Sequence, residues 1–252
     1  MEYVELLRAR RVLTWYTGII VAMLTIGMIL VFKDGHPKIQ MSHGANPMIP
    51  LDAIFAGAAF APLIIAAFLG VGLDAEYKTT AIAWTRPLTR YALALRYMAI
   101  DGGAMIVAWI VALIAAFVPI FLLGLNSYFV ASHDALPYIV LAFGVAVMWY
   151  GLILFFSALV PGRANAVVGM SWAYALVVPG LSQIPFPTVL HEVLIALNYI
   201  NPLAYLGNVS DSGSGRTLIA GTSTDHMIAV WLIGLAAIAA GTYIWANREV
   251  PA

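Results

Sequence analysis

The stretch YIVLAFGVAVMWYGLILFFSALV, Tyr138–Val160, runs for 23 residues without an Asp, Glu, Lys, Arg or His. A helix needs about 20 apolar residues to cross a bilayer core, so this run is long enough to span one. Outward from it lie five more apolar runs: Val12–Phe32, Leu51–Gly72, Ala104–Leu125, Ala166–Gln183 and Ile228–Ala246. Ala166–Gln183 is the shortest, at 18 residues. Apart from Asp52, at the edge of the second run, none of the six carries an ionisable Asp, Glu, Lys, Arg or His. Pro62 and Pro119 are expected to kink the second and third helices without ending them. The third helix is expected to start well before Ala104, because Leu93–Ile100 is also helix-compatible. The pattern predicts an all-α integral membrane protein, a single transmembrane domain with six spans.

Composition agrees. The chain is 63% hydrophobic and 10% charged, whereas a soluble domain is about 25% charged. Mean hydropathy is +0.93. Net charge is zero, so no global field points to nucleic acid as a partner. With no cysteine, disulfides, zinc–thiolate sites and cysteine nucleophiles are excluded. The N-terminal MEYVELLRARR carries Glu2 and Glu5, and no small-x-small site follows the 21-residue run after it. It reads as a retained first span rather than a signal peptide. A short amphipathic helix is expected ahead of that span, with Tyr3, Val4 and Leu7 on one side and Arg8 and Arg11 on another.

Basic residues near the span ends set the orientation. With the N-terminus inside, nine fall on inner segments: Arg8, Arg10, Arg11, Lys78, Arg86, Arg90, Arg96, Arg163 and Arg248. Lys33, Lys38 and Arg216 fall outside. Both termini are therefore expected in the cytoplasm, the chain being a multi-pass protein of the cell membrane. Between spans five and six, PTVLHEVLIALNYI (187–200) places apolar residues at helical spacing. It carries His191 and Glu192 and is too short to cross, so a re-entrant or interfacial extracytoplasmic helix is expected there, stopped by Asn201-Pro202.

Absences narrow the chemistry. Ion-coupled transporters usually keep ionisable groups near the midplane, and Arg96 and Asp101, just before the third apolar run, are the nearest candidates. They are expected at the inner interface as a solvated or paired helix start. No HExxH, GxSxG or intramembrane carboxylate pair occurs, so the chain is not expected to be catalytic by itself. No GxxxxGK[ST] occurs either, so any ATP and Mg must bind another subunit. His36, Met41, His43 and Met48 share one outer loop. Met and His are copper-type ligands, but without fixed spacing they read first as loop residues.

The charged stretch LDAEYKTTAIAWTRPLTRYALALRY (73–97) holds Lys78, Arg86, Arg90 and Arg96 together with Asp74 and Glu76. Asp74 and Glu76 would open a short helix, where the macrodipole favours carboxylates, and Pro87 would break it. Trp84 offers an apolar anchor. In this order of features the chain resembles the type-2 ATP-binding-cassette (ABC) permeases, the membrane halves of many ABC exporters. Their second-to-third-span loop has an acidic residue, a helix and then a Thr-Arg-Pro-[Val/Ile/Leu]-Ser-Arg-like break. Here these match Glu76, Lys78–Trp84 and Thr85-Arg86-Pro87-Leu88-Thr89-Arg90. Lys78-Thr79 stands where the family often has Gly-Thr.

The resemblance implies that this loop is a cytoplasmic coupling helix docking on an ATPase subunit through Asp74, Glu76, Tyr77, Lys78, Trp84, Arg86, Pro87 and Arg90. It also implies two ABC ATPase subunits and a second permease subunit as partners, alongside membrane lipids. The uncharged spans point to a lipophilic or amphiphilic cargo. The competing expectation is an ion-coupled secondary transporter or channel.

Overall fold

The computed structural model describes residues 2–32, 49–58, 60–75, 89–125, 129–130, 135–182, 184, 188–206, 208–210, 217–220 and 223–248. Their helices are α1 (Glu2–Phe32), α2 (Leu51–Ala58), α3 (Phe60–Leu69), α4 (Gly72–Ala75), α5 (Arg90–Leu122), α6 (Ala135–Leu159), α7 (Ala164–Leu181), α8 (Thr188–Tyr199) and α9 (Thr224–Asn247). Five are long and apolar enough to cross a membrane: α1, α5, α6, α7 and α9. The chain is a multi-pass, helical membrane protein.

Helix boundaries follow local chemistry. Thr89 caps α5 by accepting from the Ala92 N–H, and Ser223 caps α9 by accepting from the His226 N–H. α6 ends at a turn that Gly162 closes with φ +73°, a conformation costly for any side chain with a Cβ. Pro119 sits inside α5 one turn before its end. Two expectations are revised. The predicted amphipathic N-terminal helix and first span are one unbroken helix, α1, because no Gly or Pro interrupts Glu2–Thr17. The predicted second span, Leu51–Gly72, falls on α2 and α3, with residue 59 between them outside the described residues. Two small strand pairs were not foreseen: Ile49–Pro50 (β1) with Phe129–Val130 (β2), parallel, and Asn208–Ser210 (β3) with Thr217–Ala220 (β4), antiparallel.

Contacts fix the direction of each element. The end carrying Arg8 is called basal here and the opposite end distal. α1 and α5 rise together, lining shared clefts from Ala9 beside Ala104 to Met28 beside Pro119. α3 descends, since Leu69 at its end receives the Arg8 side chain. α6 descends against α5, with Phe143 on Trp109 and Tyr150 on Asp101. α7 rises against α6 after the turn at 160–163, with Trp172 edge-on to Trp149. α9 descends alongside α6.

The core is centred on α6, where Val145, Ala146, Met148, Trp149, Ile153 and Leu154 are buried. Its closest neighbour is α9. Gly151 on α6 and Gly234 and Gly241 on α9 bring the two backbones together, and Gly144, seven residues before Gly151, seats the Trp231 and Val230 side chains. A Cβ on Gly151 would stand 2.5 Å from the Gly234 carbonyl oxygen, and one on Gly241 would stand 2.9 Å from the Phe155 nitrogen. Without a hydrophobic drive between helices in lipid, such small-residue contacts hold the pair by close packing.

Candidate functional site

The basal end concentrates the polar chemistry of the bundle. Every described Lys or Arg lies towards it: Arg8, Arg10, Arg11, Arg90, Arg96, Arg163 and Arg248. At its centre Asp101, on α5, is 1% exposed. One carboxylate oxygen accepts from the Arg8 guanidinium at 3.2 Å and the other from the Tyr150 hydroxyl at 2.8 Å. Arg8 also donates to the Phe68 and Leu69 carbonyls, each at 3.1 Å. Those carbonyls end α3, where the helix dipole is negative and favours a cation. Gly72 leaves room for the guanidinium; a Cβ there would overlap it. One arginine thus joins α1, α3 and α5, and the shared carboxylate brings in α6. Removing one partner of such a pair strands the other, a loss of several kcal/mol when both are buried.

A second set of bonds ties the flanks of the charged stretch to the end of α9. Trp245 donates its buried indole N–H to the Leu73 carbonyl at 3.2 Å. Arg90, the first residue of α5, donates to the Ala246 and Arg248 carbonyls, both at 2.8 Å. Asn247 donates to the Tyr91 hydroxyl at 3.0 Å. Leu73 and Arg90 are therefore both held at the C-terminal end of one helix. Of the residues expected to couple to an ATPase, Arg90 is held in this way, and Asp74 lies on α4. Glu76, Tyr77, Lys78, Trp84, Arg86 and Pro87 lie outside the described residues. So do His36, Met41, His43 and Met48. No cluster of three His, Asp or Glu suited to a metal occurs among the described residues.

Asp101, expected as part of a solvated or paired helix start, is buried and pairs with Arg8 of α1, while Arg96 is exposed. A signal was present. Five residues apart on one helix, Arg96 and Asp101 point about 140° away from each other, so the acid needed a cation from another element. Asp101 is also the sole acid between Glu76 and Asp134.

The distal side carries a different unit. α8 and the 3-10 turn Pro202–Tyr205 fold back against α7. Tyr174 of α7 donates to the Leu197 carbonyl, and the fully buried Asn201 donates to the Ala175 carbonyl at 3.1 Å. Asn201 also accepts from the Leu203 N–H, so one side chain stops α8 and fastens it to α7. Ala175 lies six residues inside the end of α7, about 9 Å of rise. Tyr205 donates to the Tyr199 carbonyl at 2.7 Å and packs edge-on to His226. Burial, reinforced by Tyr199, pushes the Tyr205 hydroxyl up to about 12.

No family model, curated protein or solved structure matches the chain.

Proposed function

We propose that the chain is the membrane-spanning permease subunit of an ABC exporter, working with two ATPase subunits and a second permease. In this reading ATP and Mg are bound by the ATPases, and the cargo is lipophilic or amphiphilic. The observation that carries it is the anchoring of the charged stretch. Its flanks, Leu73 and Arg90, are both fixed to the end of α9, at the end that gathers the described basic residues. A segment that receives force from a soluble motor needs such a rigid base. In this reading the basic face is the cytoplasmic one, as the bias of Lys and Arg towards the inside favours, and both ends of the described chain lie inside.

Six crossings fit the same picture. β1, just before α2, pairs with β2 at the distal end, whereas Leu69 at the end of α3 meets Arg8 at the basal end. The 8-residue α2 and 10-residue α3 together supply about 27 Å of rise, close to a bilayer core. α8 is the re-entrant helix of this reading, reaching down to the level of Ala175 without crossing.

An ion-coupled transporter is the second reading, and Asp101 is the observation that favours it. A buried carboxylate is what such a protein titrates. Here both of its oxygens are bonded to fixed donors and it lies near the basal start of the bundle, which fits a structural clamp better.

The test is charge reversal at Glu76 and truncation of Trp84 to Ala in the full chain, purified from its native membranes. Both substitutions should release a co-purifying ATPase or uncouple its hydrolysis from transport, and leave insertion intact. Reversing Lys33 or Lys38 should do neither. An ATPase that stays fully bound and fully stimulated in the Glu76 and Trp84 variants would remove the coupling role from this stretch.

A further inference from the structure

A cavity of about 410 Å³ opens between α6 and α7 beneath the tip of α8. Its wall includes Trp149, Phe156, Val160, Val167, Tyr174 and Leu197. The Tyr174 hydroxyl is already bonded to the Leu197 carbonyl, so the wall offers almost nothing polar to a ligand. The volume falls in the range of small-molecule sites. The cavity also has a direction. Val160 and Val167 line its basal end, the mouth nearest the turn, and Leu197 and Ile200 line its upper end. It therefore occupies the basal half of the bundle, below the tip of α8.

The mouth is charged. Arg163 lies in the turn between α6 and α7, is exposed, and does not use its side chain to cap α7. Its carbonyl accepts from the Val167 N–H at 3.0 Å, so it stands one helical turn below a wall residue. The positive end of the α7 dipole adds to the same field. A chain-sized apolar slot with a cation one helical turn from its basal end has the polarity of one ligand class.

We infer that this cavity is a binding site for an anionic phospholipid of the basal leaflet, with the phosphate at Arg163 and one acyl chain lying between α6 and α7 up to Leu197. A zwitterionic lipid offers the same chain but a neutral head. Free phosphate offers the head alone. Only the anionic lipid satisfies both ends. The site is independent of the transport reading, since it needs neither an ATPase nor a cargo.

The full chain, purified in mild detergent, is mixed with phosphatidylglycerol or with phosphatidylcholine of identical chains. Lipid retention is read by native mass spectrometry. Phosphatidylglycerol should be retained roughly five- to tenfold more tightly, the effect of one arginine near a headgroup. Arg163→Gln, which changes no packed residue, should lower phosphatidylglycerol to the phosphatidylcholine level, and Arg163→Lys should restore most of it. Val167→Phe, which fills the mouth, should reduce retention of both lipids. Ser171→Phe, which fills the cavity higher up, should do the same and covers the case in which the first variant fails to fold. Excess inorganic phosphate should not displace the lipid. Equal retention of the two lipids by the unaltered protein would overturn the inference, as would an Arg163→Gln variant that keeps the preference. Displacement by phosphate alone would reduce the site to a surface cation, and unchanged retention in folded Val167→Phe or Ser171→Phe would take the chain out of the cavity.

Discussion

α6 and α9 meet backbone to backbone, whereas α1 packs on α5 between two clefts. Glycines at 144, 151, 234 and 241 let the first pair close until no Cβ fits between them. Clefts of about 780 and 770 Å³ flank α1, the first on its basal half against α5 and the second on its distal half against α2, α3 and α5. Large side chains along α1, such as Trp15, Met23 and Ile29, are exposed to the lipid region, and no residue in its most apolar window is buried. Its firm attachment is Arg8. Two ways of holding a helix in a membrane are thus present in one chain. A shape-fitted seam resists displacement along its length, while a charged pin resists it most strongly at one point.

The largest expected effect breaks the seam. Gly151→Leu drives a side chain into the Gly234 carbonyl, where only backbone can yield, and should cost about 3 kcal/mol or more. Loss of the monodisperse peak on heating, followed by size-exclusion chromatography, measures it. Gly18→Leu, where nothing lies within 4 Å, should stay within about 0.5 kcal/mol. Equal losses in the two variants would erase the contrast between the regions.

Next comes the pin. Asp101→Asn leaves Arg8 and Tyr150 with a weaker acceptor and should cost about 2 kcal/mol, below the fully buried case because Arg8 is partly exposed. Spin-label distances between α1 and α5 should broaden, while those between α6 and α9 stay sharp. The double variant Arg8→Gln, Asp101→Asn should recover part of the loss.

A smaller change sharpens the comparison at the basal end. Trp245→Phe removes the indole N–H from the Leu73 carbonyl and should cost about 1 kcal/mol. Hydrogen exchange should rise at Gly72–Ala75 and not along α6. In the smallest case, the Tyr205 hydroxyl is neutral in the folded chain and its pKa is raised to about 12. The stability it lends is complete below the unfolded value of about 10 and is lost as pH rises from there through about 12. Melting curves at stepped alkaline pH should fall less steeply in Tyr205→Phe than in the unaltered protein.

The spans were legible because hydrophobic length is a local property. Tyr138–Val160 and Ile228–Ala246 could be placed from composition alone, and α6 and α9 lie within a few residues of them. Helix 187–200 and its stop at Asn201 were equally legible, because a short apolar period followed by Asn-Pro has few other readings. Pairing across elements was hidden. Arg8 and Asp101 are 93 residues apart, and nothing in either neighbourhood names the other. The role of Arg90 was split in the same way. Its place in the charged stretch was readable, but its grip on the end of α9 depends on where a helix finishes 156 residues later.

That α6 and α9 descend side by side has a consequence for counting. A chain that leaves α6 at the basal face must return to the distal face before it can start α9, so an odd number of crossings separates them. α7 supplies one. A crossing by α8 would make two and deliver the chain to the wrong face, with α9 forced to run upward against α6. The glycines at 151, 234 and 241 are seated in the parallel sense, so parity and packing give the same answer for α8. Lengthening α8 into a full span would have to invert the last helix, and with it every contact along the seam.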